Sequence, residues 1–163
     1  MNQRSNVAAW LSLTAIVVVG LIASGCSRDK LSPEQQVLRT IAQGLAAAES
    51  RSVDTIEEML TSDFQDNHGN DRRRTLALLR IYFLQHQSIH LFAQTKSVRF
   101  PDPKMADAVV VVAMAGQPID TAETAQRLRA NMFRFEIRFV SDGGSTWKAS
   151  RANWQYAEFG DLF

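Results

Sequence analysis

Cysteine occurs once in this chain, at position 26, so no internal disulfide can brace the fold. Histidine is nearly as scarce, with three residues: His68, His86 and His90. The one suggestive spacing, His86-x-x-x-His90, would set two zinc ligands on one helical face. Gln87-Ser88 ends the helical pattern between them, so coincidence is the better reading and no metal is expected. There is no glycine-rich phosphate loop, no dinucleotide fingerprint and no serine or cysteine nucleophile motif. No cofactor is therefore expected. Neither sign of charge prevails, with 18 Lys and Arg against 17 Asp and Glu. That balance removes the electrostatic case for nucleic acid as a partner. Hydrophobic residues at 45% and charged residues at 21% are ordinary globular usage, and the length suits one domain with a real core.

Long apolar runs are also missing, except at the start. Val7 to Ala23 is an uninterrupted apolar or weakly polar stretch that follows a single cation, Arg4. It has no polar face, which excludes a helix half in water. It is somewhat long for a secretory core region and somewhat short for a spanning helix. Its end, Leu21-Ile22-Ala23-Ser24-Gly25-Cys26, resembles the lipobox of bacterial lipoproteins, with Ala23 where leucine is usual. The resemblance implies cleavage between Gly25 and Cys26 and acylation of the Cys26 sulfur and amine, which exceeds the two-signal requirement for stable anchoring. An uncleaved signal anchor is the alternative. The implied location is the bacterial cell envelope, facing the periplasm. Ser27, rather than Asp, follows the cysteine, which in enteric lipoproteins points to the outer membrane. Arg4 is the only charged residue of the leader, so residues 26–163 carry 17 charges of each sign.

After a polar tether over 26–31, the periodicity is helical. Ser32, Pro33 and Gln35 form an N-terminal cap and capping box, followed by Val37, Leu38, Ile41, Leu45 and Ala48 on one face. Ser52 caps a second, short helix containing Val53, Ile56, Met59 and Leu60, with Phe64 just past its end. Residues 65–70 read as a loop. Asp71 caps a third helix to about His86, with Leu76, Leu79, Tyr82 and Phe83 inward. Arg72, Arg73 and Arg74 fall in its first turn, where the helix dipole disfavours cations.

From Ile89 the period becomes two. Strands are expected over 89–100, over 108–115 with four consecutive valines, over 131–140, and over 147–156 after an Asp142-Gly143-Gly144 turn. A short helix capped by Asp120 interrupts them. In the third of these strands Phe133, Phe135, Ile137 and Phe139 share one face, while Arg134, Glu136 and Arg138 share the other as a salt-bridged surface. Residues 158–163 read as a short, loose tail, with packing back through Phe159 and Phe163 as the alternative.

Three N-terminal helices followed by an antiparallel meander make an α+β fold. That order, with Phe135-x-Ile137, Asp142-Gly143, Trp147-Lys148-Ala149 and Trp154, resembles the nuclear transport factor 2-like superfamily. The resemblance implies a cystatin-like cone over residues 32–157, in which a strongly curved antiparallel sheet wraps the helices. That superfamily includes isomerases, dehydratases and members without activity, so it leaves function open. The candidate pocket residues are Asp63, Tyr82, His90 and Trp154, and no pair among them has a spacing that names an acid and a base. Two functions follow as expectations. One is a non-catalytic envelope module that binds an envelope protein or a small apolar ligand. The other is a cone-pocket isomerase or dehydratase acting on a small apolar substrate. The doubly apolar valine strand needs cover on its second face, and a second copy docking through the sheet would supply it.

Overall fold

The structure, a computed structural model, describes residues 31–163. Helix α1 spans Pro33–Glu49, α2 Val53–Met59, α3 Arg72–Gln85 and α4 Ala122–Arg127. Strands run over Leu60–Asp66 (β1), His90–Asp102 (β2), Met105–Ala115 (β3), Asn131–Ser141 (β4) and Trp147–Tyr156 (β5), and a 3₁₀ turn closes Phe159–Leu162. The α1 capping box forms as its residues dictate: Ser32 Oγ accepts from the Gln35 amide at 3.2 Å and Gln35 Oε1 accepts from the Ser32 amide at 2.9 Å. Asp71 caps α3 through the Arg74 amide at 2.7 Å.

The fold is α+β, but its sheet is mixed. The strand order is β1-β5-β4-β3-β2, antiparallel throughout except that β1 runs parallel to β5. β1 occupies residues expected to be the end of α2 and a loop. Seven residues with Leu60 and Phe64 buried and Ser62, Asp63 and Gln65 exposed have a strand's half-buried pattern, read here too short to register as a period. β2 and β3 also extend past their expected ends, into Pro101-Asp102 and back from Met105, and make a tight hairpin around Pro103-Lys104.

Alternation gives the sheet two faces, and both are used. On the inner face Val37 and Ile41 of α1, Leu76 of α3 and Phe64 pack against Val110, Val112, Phe139 and Trp147. The Trp147 indole donates to Gln36 Oε1 at 3.0 Å, tying α1 to β5. On the outer face Val111, Ala113 and Met132 pack against Ile119, Ala122 and Ala125 of the α4 segment and against Leu162. The tail is thus not loose, since Leu162 has no exposed surface. The cover over this end of the valine strand comes from the chain itself. The cap of α4 is Thr121 rather than Asp120, whose carboxylate instead accepts from the Thr124 hydroxyl at 3.0 Å. Residues 31–163 form a compact unit whose two hydrophobic clusters are both built from its own side chains.

Candidate functional site

The four candidate pocket residues do not converge. Asp63 is exposed on β1. Tyr82 points inward from α3 and its hydroxyl donates to the Met114 thioether at 2.9 Å, while its ring stacks on His86 with centroids 4.0 Å apart. Burial raises the pKa of that phenol. His90 pairs with Ala115 across β2 and β3 and alternates with Leu91, which packs on the inner core. Its side chain therefore belongs to the outer face, opposite Tyr82. It contacts the Ser88 hydroxyl at 3.1 Å. The two histidines of the His-x-x-x-His spacing fall on different elements, His86 as the cap of α3 and His90 in β2. Gly25 and Cys26 lie outside the described residues.

Trp154 does sit in a cluster. It faces inward on β5 opposite Phe135, and its ring lies 4.3 Å from His68 and 6.1 Å from Phe133. Phe133 in turn contacts Phe135 at 6.3 Å and Tyr156 at 5.2 Å. These rings line the inner face toward the end of β4 and β5 that lies away from their hairpin. Trp154, Phe133 and Phe135 are half-buried, and Tyr156 is 77% exposed. A ladder of partly exposed rings can take a flat apolar group by offset or edge-to-face stacking.

The turn after β1 positions this ladder. The Asp66 carboxylate accepts from the His68 amide at 2.9 Å, the Asn70 amide at 2.8 Å and Asn70 Nδ2 at 2.8 Å. Gly69, at φ +78°, supplies the left-handed residue that the turn needs. Burial pushes the Asp66 carboxyl up. The hydrogen bonds from Asn70, His68 and the Trp154 side chain outweigh that and hold it below its ordinary value. Asn67 then docks on β5, where Nδ2 donates to the Trp154 carbonyl at 3.0 Å and Oδ1 accepts from the Trp154 amide at 3.1 Å. Its side-chain amide continues the β1–β5 ladder where β1 stops, and fixes Trp154. Asn67 and His68 are legible only as turn formers, because their partner Trp154 lies 87 residues beyond Asn67. A carboxylate saturated with donors in this way has little capacity left to act as a general base.

Away from the rings, a concavity of about 400 Å³ opens on the outer face. One cross-strand row crosses it, Arg99, Asp107, Arg138 and Arg151, one residue from each of β2 to β5. Arg138 grips Asp107 with two bonds of 2.7 and 2.9 Å, and Arg134 pairs with Glu136 at 3.5 Å. The guanidinium of Arg138 holds the Asp107 carboxyl below its ordinary value. The trio Arg134, Glu136 and Arg138 is thus the outward salt-bridged surface that its alternation dictates.

No protein-family model and no curated protein sequence matches the chain. Solved structures do. A cystatin-like domain of unknown function from Nostoc punctiforme aligns at 17% identity over 79% of this chain and 80% of that one, with a TM-score of 0.58. A nuclear transport factor 2-like protein from Cytophaga hutchinsonii aligns at 16% identity over 78% of this chain and all of that one, TM-score 0.56. A hexachlorocyclohexane dehydrochlorinase from Novosphingobium barchaimii aligns at 11% identity over 76% and 85% of the two chains, TM-score 0.57. Such identities speak for fold and not for activity. Residues 31–163 have the cystatin-like, nuclear transport factor 2-like fold.

Proposed function

We propose that this chain is a lipid-anchored binding module of the bacterial cell envelope, held through acylated Cys26 and without catalytic activity, which takes small planar apolar ligands on the Trp154 ring ladder. One observation carries the non-catalytic reading: the groups that acid–base chemistry would need stand apart. Asp63 faces solvent, Tyr82 is bonded to Met114, and His90 is on the opposite side of the sheet. A dehydratase- or dehydrochlorinase-type elimination needs a base and an acid within reach of one bound substrate. The rings at His68, Phe133, Trp154 and Tyr156 need only a flat partner. Among the described residues no helix is long and apolar enough to cross a membrane, and the anchoring reading rests on the lipobox-like residues ending at Cys26.

The test has two arms. In cells, Cys26→Ser is expected to abolish incorporation of labelled palmitate and leave the precursor unprocessed, whereas normal maturation of that variant would overturn the anchor. In calorimetric titration, the domain of residues 27–163 is expected to bind 1-naphthol, and Trp154→Ala to weaken binding by at least about tenfold, as loss of a central aromatic contact does. Equal affinity of the two proteins, or no binding by either, would refute the ring ladder as the site.

A further inference from the structure

Helix α3 turns Leu76 and Phe83 into the protein and leaves an outer face that nothing among the described residues covers. At 100° per residue that face carries Arg73, Arg74, Leu78, Arg80, Ile81 and Leu84. Leu84 is 83% exposed, Ile81 52% and Leu78 49%. Three large aliphatic side chains exposed along one helix exceed the scattered surface apolars of an ordinary monomer. The helix contains no acidic residue. Arg72 is engaged by Glu57, through an ion pair of 3.2 Å and a bond to the Glu57 carbonyl at 3.0 Å. Among the described residues Arg73, Arg74 and Arg80 have no ion-pair partner. Two of these stand in the first turn beside the Asp71 cap, whose carboxylate is taken up by the Arg74 amide at 2.7 Å and forms no ion pair with either guanidinium.

Aliphatic side chains and unpaired guanidiniums on one face, with no carboxylate among them, match the chemistry of an anionic bilayer surface. The aliphatics enter below the headgroups and the guanidiniums meet the phosphates. A second copy fits less well, because a two-fold interface through this face would bury its arginines with no carboxylate on either copy of the helix to meet them. We propose that the outer face of α3 lies on an anionic phospholipid surface, with Leu78, Ile81 and Leu84 inserted at the headgroup boundary and Arg73, Arg74 and Arg80 on the phosphates. The idea extends the anchored reading, since the five residues between Cys26 and Ser32 span six Cα–Cα steps and reach only about 20 Å. The face would then set how the domain lies once anchored.

Vesicle sedimentation of residues 27–163 tests the face without the lipid, and this unit carries its complete core. Vesicles of phosphatidylglycerol and phosphatidylethanolamine are compared with phosphatidylcholine alone. Binding is expected only to the anionic vesicles, and it should weaken as salt rises. Each cation at such a surface favours binding about fivefold, so Arg73→Ser with Arg74→Ser should cost about 25-fold. Ile81→Ser with Leu84→Ser should cost at least about tenfold, with unchanged thermal melting because both sites are exposed. Arg99→Ser with Arg151→Ser, on the outer sheet face, should leave binding intact. No sedimentation with anionic vesicles would overturn the proposal. So would an equal loss in the Arg99 and Arg151 pair, or a dimer in solution that Ile81→Ser with Leu84→Ser dissolves. The anchor is judged separately by the fate of Cys26→Ser, so either can fail alone.

Discussion

Leu162 is fully buried in a stretch whose sequence reads as a loose tail, and its replacement by alanine measures what that stretch contributes. The change deletes three carbons from contact with the Val111, Ala113, Ile119 and Met132 cluster. At about 0.8 kcal/mol per methylene, transfer alone accounts for about 2.4 kcal/mol. The residual cavity adds to this, by an amount set by how far the short α4 segment can settle into it, and the total should be about 3 kcal/mol. Phe163, next in sequence, is the control. It is 71% exposed and stacks only on Phe159, at 5.3 Å, so Phe163→Ala should cost less than about 1 kcal/mol. Urea unfolding of residues 27–163, followed by far-ultraviolet circular dichroism, reads both variants. With a slope of about 2 kcal/mol per molar, Leu162→Ala should lower the midpoint by about 1.5 M. A cost below about 1 kcal/mol for Leu162→Ala, or equal costs for the two variants, would refute the tail as a structural cover of the sheet.

Two further predictions concern the inner face and its turn. Phe139 is 3% exposed and Phe135 half-buried, so in the same urea assay Phe139→Ala should cost about 3–5 kcal/mol and Phe135→Ala clearly less; the reverse order would mean that the β4 register is misplaced. Asp66 is held below its ordinary value, so it binds protons less readily folded than unfolded. The stability it adds is therefore present above the unfolded value of about 3.9 and is lost as pH falls through the lower folded one. Asp66→Ala should cost about 1–3 kcal/mol at pH 7 and flatten the acid limb of stability against pH, whereas a carboxyl titration by NMR at or above the ordinary value would refute it.

Helices α1 and α3 and strands β2 to β5 were legible because each is long enough to repeat its period, and because Ser32, Asp71 and the Asp142-Gly143-Gly144 turn mark their ends. β1 escaped for the opposite reason. Its seven residues follow a short helix directly, and its parallel partner β5 lies some eighty-five residues on, so its identity as a strand is a tertiary fact. The same holds for the site. Trp154 could be named from its inward position, but not Asn67, whose amide reads as a turn former until β5 lies beside it. His90 shows the limit of alternation, which says that Ile89 and His90 face opposite ways but cannot say which way without the packed sheet.

The four valines of β3 explain why the sheet leaves function at its margins. Val110 and Val112 are consumed by the inner core and Val111 by the α4 and Leu162 cover, so the middle of the sheet has no free apolar surface for a ligand. What remains is peripheral: the ring ladder at the far ends of β4 and β5, the arginine row beyond Val109, and the outer face of α3. The arginine row holds carboxylates beside it, Asp107 on Arg138 and Glu136 on the neighbouring Arg134, while Arg99 and Arg151 have no ion pair among the described residues. Among the described residues the outer face of α3 has no such carboxylate, and the ring ladder has no cover over Tyr156. Exposed apolar chemistry of two kinds is therefore left on two surfaces, planar at the ring ladder and flanked by cations on α3. Under the proposed anchoring through Cys26, the first would take a ligand and the second would fix how the domain lies on the bilayer.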